Sequence, residues 1–212
     1  MPKGSEQLTN ARKQEIINAC AKLYETMSFK EITITEIGKA TSFTRTSIYN
    51  YFQTKEEIFL ALLQREYDWW SDDLCHMMDT QETMTVQEFA DAMARLLQKR
   101  KRMLKLLSMN HYDMESSSRM ENLVEFKRSY GRSIHAVTKC VTKYFPCMTV
   151  HDIQDFIYAF FPFLFGVYPY TVVTEKQIDA MRQAHTEYVQ LTQYEIVSAC
   201  VKRLLSAFDK TE

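Results

Sequence analysis

Turn-forming residues are scarce, with 4 glycines and 4 prolines in 212 residues. Sandwiches and barrels use such residues at every hairpin and corner. Their shortage argues against strand-rich folds and for an all-α chain with short connections. A dominant charge sign is also missing. The net charge is −1, so the chain as a whole is not a polycation, and any nucleic-acid surface must be local. Cysteines are few and odd in number: Cys20, Cys75, Cys140, Cys147 and Cys200. No CxxC pair occurs. Reduced thiols in a cytoplasmic protein are the expectation, and no signal peptide opens the chain. Long apolar runs are absent but for Phe156 to Val173, which carries no charge. That run touches the lower limit for a membrane span, roughly 17 residues. It holds Pro162 and Pro169 and lacks basic flanks, so a buried or dimer-forming helix is expected and no membrane partner.

The residues of hydrolytic, redox and metal chemistry lack an arrangement. His76, His111, His135, His151 and His185 are scattered. Cys75 beside His76, and Cys147 four residues before His151, have no third ligand near them in sequence. No nucleophile elbow, phosphate loop or carboxylate pair is present. No catalytic residue, metal site or cofactor is therefore assigned, and an enzyme is disfavoured.

Helix starts, by contrast, are abundant. A Ser or Thr followed three residues on by Glu, Gln or Asp forms a capping box, because the two side chains satisfy each other's free amides. Thr33 with Glu36, Thr54 with Glu57, Thr85 with Glu88, Ser118 with Glu121, Thr149 with Asp152 and Thr174 with Gln177 all fit. Each precedes apolar spacings of three and four. The pattern gives about nine to ten helices. The first runs over about 10–27, with Ile16, Cys20, Leu23, Tyr24 and Met27 on one face. Short helices follow Thr33 and Thr44, and a long fourth spans about 55–72. Further helices cover about 85–99, 102–110, 118–144, 149–170, 174–185 and 192–208.

The segment from Ile32 to Phe59 carries the function. Two short helices with a tight turn, followed by a capped longer helix, form the layout of a helix-turn-helix. Ile34, Ile37, Ala40, Phe43, Ile48 and Phe52 supply a small core. Thr44 stands at an N-cap position. Outward from the second short helix are Arg45, Thr46, Ser47, Tyr49, Asn50 and Tyr51, with no carboxylate among them. A surface without acidic groups suits a phosphate-lined groove. Through Lys55 the chain has eight cationic against five acidic residues, a mildly basic segment. Tyr49 and Tyr51, two apart, point to different sides, so both cannot enter one small core.

These residues resemble the TetR-family DNA-binding domain. The likeness lies in Thr33-Ile34-Thr35-Glu36-Ile37, then Ile48-Tyr49-Asn50-Tyr51-Phe52, then Lys55-Glu56-Glu57. It covers about the first quarter of the chain. The resemblance implies that Arg45, Ser47, Tyr49 and Tyr51 touch DNA and that Lys55 holds a phosphate. Thr35, Thr44, Thr46 and Asn50 complete the candidate DNA-contacting set. The family usually has Gly in the turn, where Ser42 stands. If the backbone there is left-handed, Ser42 carries strain on the order of 1 kcal/mol.

The resemblance further implies a helix-turn-helix domain over 1–55 and a helical effector-binding and dimerisation domain over 56–212, joined by the fourth helix. The expected partners are operator DNA, a second copy of the chain, and a small effector. Aromatic residues make up 13% of the chain and Met numbers 12, which points to an apolar effector. Its candidate pocket residues are Phe89, Met93, Leu97, Met109, Tyr112, Phe126, Tyr130, Phe160, Leu164 and Tyr168. Pro162, Gly166 and Pro169 are expected to kink their helix and open space. A stripe of Ile196, Cys200, Leu204 and Phe208, with the helix of Phe156 to Tyr170, is expected to form the dimer interface. Lys99 to Arg102 reads as a solvated helix end. The expected mode is repression, relieved by the effector. The alternative is a regulator that is ligand-independent or controlled by cysteine oxidation.

Overall fold

The computed structural model describes residues 3–109 and 111–209. Their regular structure is all helical, with no strand among them. The helices are α1 (Lys3–Thr26), α2 (Ile34–Lys39), α3 (Arg45–Ile48), α4 (Lys55–Thr80), α5 (Val86–Lys99), α6 (Lys101–Leu107), α7 (His111–Ser116), α8 (Met120–Tyr144), α9 (Val150–Thr171), α10 (Glu175–Gln183) and α11 (Gln193–Leu205). A 3₁₀ turn, Ser206–Phe208, follows α11. The short α7 has no counterpart among the expected helices. Asn110, the end of the expected helix over 102–110, lies outside the described residues.

Side-chain caps set most helix starts. Thr85 with Glu88, Thr149 with Asp152, and Thr174 with Gln177 form reciprocal boxes, and Thr192 with Glu195 adds another. Thr33 and Thr54 accept the amides of Glu36 and Glu57, but the two glutamates turn to other partners. Glu36 pairs with Lys39 and Glu57 with Arg119. The Ser118–Glu121 box does not form. The Ser118 hydroxyl donates instead to the Met114 carbonyl at 2.7 Å, and α8 starts two residues later.

The chain divides into two compact units, one from Met1–Glu66 with Asn110–Tyr130, the other from Tyr67–Met109 with Gly131–Glu212. In the first, Ile16, Cys20, Ile37, Ile48, Phe59, Leu62 and Leu63 are fully enclosed. Tyr24 and Phe29 meet the Phe59 ring edge-on at 5.2 and 4.8 Å, a geometry that aromatic quadrupoles favour. Arg65 ties α4 to α1 through Asn18 Oδ1 at 2.6 Å and Gln14 Oε1 at 3.3 Å. α1 begins earlier than expected because residues 6–12 are exposed and carry no apolar period to announce them. Ala40 is exposed rather than in the core, since α2 stops at Lys39 and leaves Ala40 as its C-cap.

In the second unit, α5 buries Val86, Phe89, Ala90, Met93, Ala94 and Leu97. α11 packs on α5 and α9, with Val197, Val201 and Leu205 inward. Polar ties help fix the α5–α11 pair, among them Ser198 Oγ to Asp91 at 2.9 Å and Gln193 Nε2 to the Leu97 carbonyl at 2.6 Å. The stripe of Ile196, Cys200, Leu204 and Phe208 is next to this buried row and half-exposed. α4 outlasts its expected end near residue 72 because Leu74 and Met77 extend its buried face. The carbonyls of Met78 in its last turn and of Gln81 just past its end accept from Lys143 Nζ at 2.6 and 2.8 Å, a cationic C-terminal cap. α9 passes Pro162 and Pro169 without interruption. Arg100 is not a solvated helix end: it closes on Asp73 Oδ2 at 2.5 Å and covers the Trp69 ring.

Candidate nucleic-acid interface

α2 and α3 meet closely at Gly38, where an added Cβ would stand 3.6 Å from both the Arg45 amide and the Ile48 side chain. Ile37, Ile48 and Phe52 fill the space beneath them. Thr44 caps α3, its Oγ1 accepting the Ser47 amide at 3.3 Å and sharing a hydrogen bond with the Ser47 hydroxyl at 3.0 Å. Beyond Ile48 the chain continues as turns, with the Tyr51 and Phe52 amides both donating to the Ile48 carbonyl. The packing of Ile48 turns the other residues outward. Thr35, Thr44, Arg45, Thr46, Tyr49 and Asn50 are exposed, and Ser47 is half-buried.

The two tyrosines part as their spacing requires. Tyr49 is 41% exposed and its hydroxyl accepts from Arg45 Nη2. Tyr51 is half-buried, 6.3 Å from the Phe43 ring, and its hydroxyl accepts from Arg12 Nη1 at 3.1 Å. Arg12 was missed in the sequence because it precedes the motif by several turns of α1. Lys55 turns inward: its ammonium donates to the Phe29 and Ile32 carbonyls at 2.8 and 3.2 Å and stands 4.1 Å from the Phe29 ring centre. Two of its three protons are thus engaged with the α1–α2 connection.

The strain expected at Ser42 is absent. Among the described residues, the only non-glycine residue with positive φ is His185, at 51°. Ser42 adopts an ordinary backbone, and Glu15 Oε1 accepts its amide at 2.7 Å.

A second residue outside the motif reaches this unit from far along the chain. Glu57 is buried, and its carboxylate accepts from the Gln53 amide and from the Arg119 amide, Nε and Nη2, at 2.7 to 3.0 Å. Burial alone would raise the Glu57 pKa. The hydrogen bonds from Arg119 and from the Gln53 amide outweigh it and hold the carboxyl at about 2. Nothing local in the sequence marks Arg119, which lies 62 positions from its partner.

The effector candidates separate. Phe89, Met93, Leu97, Phe160 and Leu164 are fully enclosed in the second unit, Tyr168 and Met109 are half-buried there, and burial raises the Tyr168 pKa. Phe126 is buried in the first unit, Tyr130 half-buried, and Tyr112 88% exposed. Two open clefts of about 370 and 450 Å³ lie in the second unit beside Tyr144 and beside His76, and none of the candidates lines either. Trp70 is fully buried near Phe161, and its indole N–H has no acceptor. Burial pushes the Cys140 thiol up to about 12, so it is not a thiolate at neutral pH. Among the described residues no group of three or more His, Cys, Asp or Glu side chains forms a metal site. No single helix among them is long and apolar enough to cross a membrane.

Residues 16–62 match the family model for bacterial regulatory proteins, tetR family. Residues 64–206 match that for the tetracyclin repressor-like C-terminal domain. No curated protein sequence matches the chain. Among solved structures, the chain is similar to the fatty acid degradation regulator FadR of Bacillus halodurans, with 15% identity, TM-score 0.58, and coverage of 91% of this chain and 94% of that one. A TetR-family regulator of Mesorhizobium loti gives 15% identity, TM-score 0.56, and coverage of 95% and 98%. FadR of Bacillus subtilis in complex with stearoyl-CoA gives 13% identity, TM-score 0.52, and coverage of 91% and 97%. These three share the fold. The two family models together span the helix-turn-helix and most of the helices beyond it, and the chain belongs to the TetR family of DNA-binding transcriptional regulators.

Proposed function

We propose that the chain is a dimeric repressor that reads a palindromic operator with α3 and releases it when a small, mostly apolar effector binds the second unit. The observation that carries the DNA reading is the run from Ile37 to Lys55, which contains no Asp or Glu. Apart from Ala40, the exposed side chains over that run carry hydrogen-bond donors, and Thr44 caps the start of α3. Arg45 offers a planar fork to a base edge. Thr35, Thr44, Thr46, Ser47, Tyr49, Asn50 and Tyr51 serve phosphates or neighbouring edges. Lys55 keeps one proton for a phosphate while bracing the α1–α2 connection.

The effector reading rests on the surplus of aromatics and on Trp70, whose buried N–H lacks an acceptor. An unsatisfied buried donor costs about 1–3 kcal/mol, which a ligand carbonyl placed there would recover. The stearoyl-CoA held by the Bacillus subtilis relative is a reasonable first probe, since it joins a long apolar chain to a carbonyl. α9, with its exposed Tyr158, Phe165 and Tyr170, and the half-exposed stripe of α11 serve the dimer.

A gel-shift series on the duplex upstream of the chain's own gene tests the core of this reading. Affinity should fall steeply between 50 and 200 mM salt, with a log–log slope of about −0.9 per phosphate contacted. A flat response would show that the chain does not hold the DNA backbone.

A further inference from the structure

We infer that Arg119 is a positioning residue for DNA reading, supplied to the helix-turn-helix by the part of the chain that matches the C-terminal family model. The inference rests on the reading that α3 contacts DNA. It starts from where the compact units divide. Family matching places the change of domain between residues 62 and 64. Residues Asn110–Tyr130 nevertheless belong to the same compact unit as the helix-turn-helix. Ser117 to Arg119 is where that return segment is bonded to the reading element. Thr54 Oγ1 donates to the Ser117 carbonyl at 3.1 Å. Arg119 spends its amide, Nε and Nη2 on Glu57, and Nη2 also donates to the Tyr51 carbonyl at 3.1 Å.

The Tyr51 bond makes this more than a stabilising ion pair. Tyr51 closes the turn that follows α3, through its amide to the Ile48 carbonyl. Its hydroxyl is held by Arg12 and its carbonyl by Arg119. The residue is thus gripped at both ends by guanidinium groups from two different helix regions. A planar fork can serve a carboxylate on one edge and a carbonyl with the same terminal nitrogen. A lysine ammonium is a point charge on a flexible stem and cannot hold that geometry. Arg119 immediately precedes α8, which begins at Met120 in the first unit and ends at Tyr144, in the second. The orientation of the turn behind α3 is therefore set by a residue at the head of a helix that belongs to both.

Two variants test this. Arg119→Lys keeps the charge but loses the fork. The pair Glu57→Leu with Arg119→Met removes both charges together, an exchange that buried ion pairs often survive with stability intact. Helical content, unfolding midpoint and mass in solution are measured alongside operator affinity on the upstream duplex. The expected result for Arg119→Lys is an unchanged mass and helical content with operator affinity at least tenfold weaker. The double variant should show the same loss even where its unfolding midpoint equals that of the parent. Affinity within twofold of the parent in either folded variant overturns the positioning role. If the double variant does not fold, Arg119→Lys alone decides. A parent chain that retards no upstream DNA at low salt overturns the DNA reading itself, and the inference with it.

Discussion

The Arg45 guanidinium donates through Nη2 to the Tyr49 hydroxyl at 3.2 Å and stands 5.7 Å from the centre of that ring. Tyr49, the C-cap of α3, lies four residues after Arg45, and both residues are exposed. Tyr49 therefore restricts where the Arg45 fork can point before any DNA arrives. Replacing Arg45 with Ala should cost about 1–3 kcal/mol at one base position and relax preference there. Tyr49→Phe should weaken cognate and altered duplexes by similar factors. Competition binding with single-base variants of the operator separates the two outcomes.

Ser42→Gly should give no gain in stability. A glycine helps where φ is positive, and Ser42 is not such a position. Gly keeps the amide that donates to Glu15 but widens the unfolded ensemble, so a loss of about 0.4–1 kcal/mol is expected. Urea unfolding of the two proteins decides; a stabilised Gly variant would show that the turn is strained.

Stability should fall in acid through Glu57. Its folded value, about 2, lies below its ordinary value of 4.5. Between those two values the unfolded chain binds more protons than the folded one, so stability rises with pH across that window. The contribution of the Glu57–Arg119 pair is complete above pH 4.5 and is lost as pH falls toward 2. Unfolding midpoints at pH 6, 4 and 3 should decline more steeply for the parent than for Glu57→Gln, which has no proton to gain. Parallel slopes would assign the acid sensitivity to other carboxylates.

Light scattering should return a mass near twice 25.1 kDa. Tyr158 and Phe165 lie on the exposed side of α9 at 71% and 38% exposure. Placing a carboxylate at each, Tyr158→Glu with Phe165→Asp, should yield a folded monomer that binds the operator at least tenfold more weakly, since paired half-sites require two copies. A dimer that survives both changes would move the interface elsewhere.

Local chemistry was legible and distant chemistry was not. The reciprocal boxes at Thr85, Thr149 and Thr174 could be read because both halves of each box lie within one turn. The box proposed at Ser118 failed because Met114, a turn before it, offered its hydroxyl a carbonyl in a helix the sequence did not announce. The outward placement of Arg45, Thr46, Tyr49 and Asn50 was legible in the motif's spacing, and so were the opposed directions of Tyr49 and Tyr51. Lys55 shows where such reading stops. Its place in the motif suggested a phosphate, and only the fold shows that the Phe29 and Ile32 carbonyls stand within its reach. Spacing places Glu57 in a cap, and the fold makes it the buried partner of a residue 62 positions away. No periodicity could disclose that.

The interleaving of Met1–Glu66 with Asn110–Tyr130 bears on how such proteins exchange parts. A recombination event that joins a new effector region just after the motif's family boundary transplants Glu57 without its guanidinium partner. The buried carboxylate then keeps only the Gln53 amide as a partner, and losing the guanidinium destabilises the fold. Chimaeras cut near residue 63 should thus be functional only when the incoming region brings its own cation to the equivalent of Arg119. Shuffling of these regions thus has to carry the Glu57–Arg119 pair as a unit.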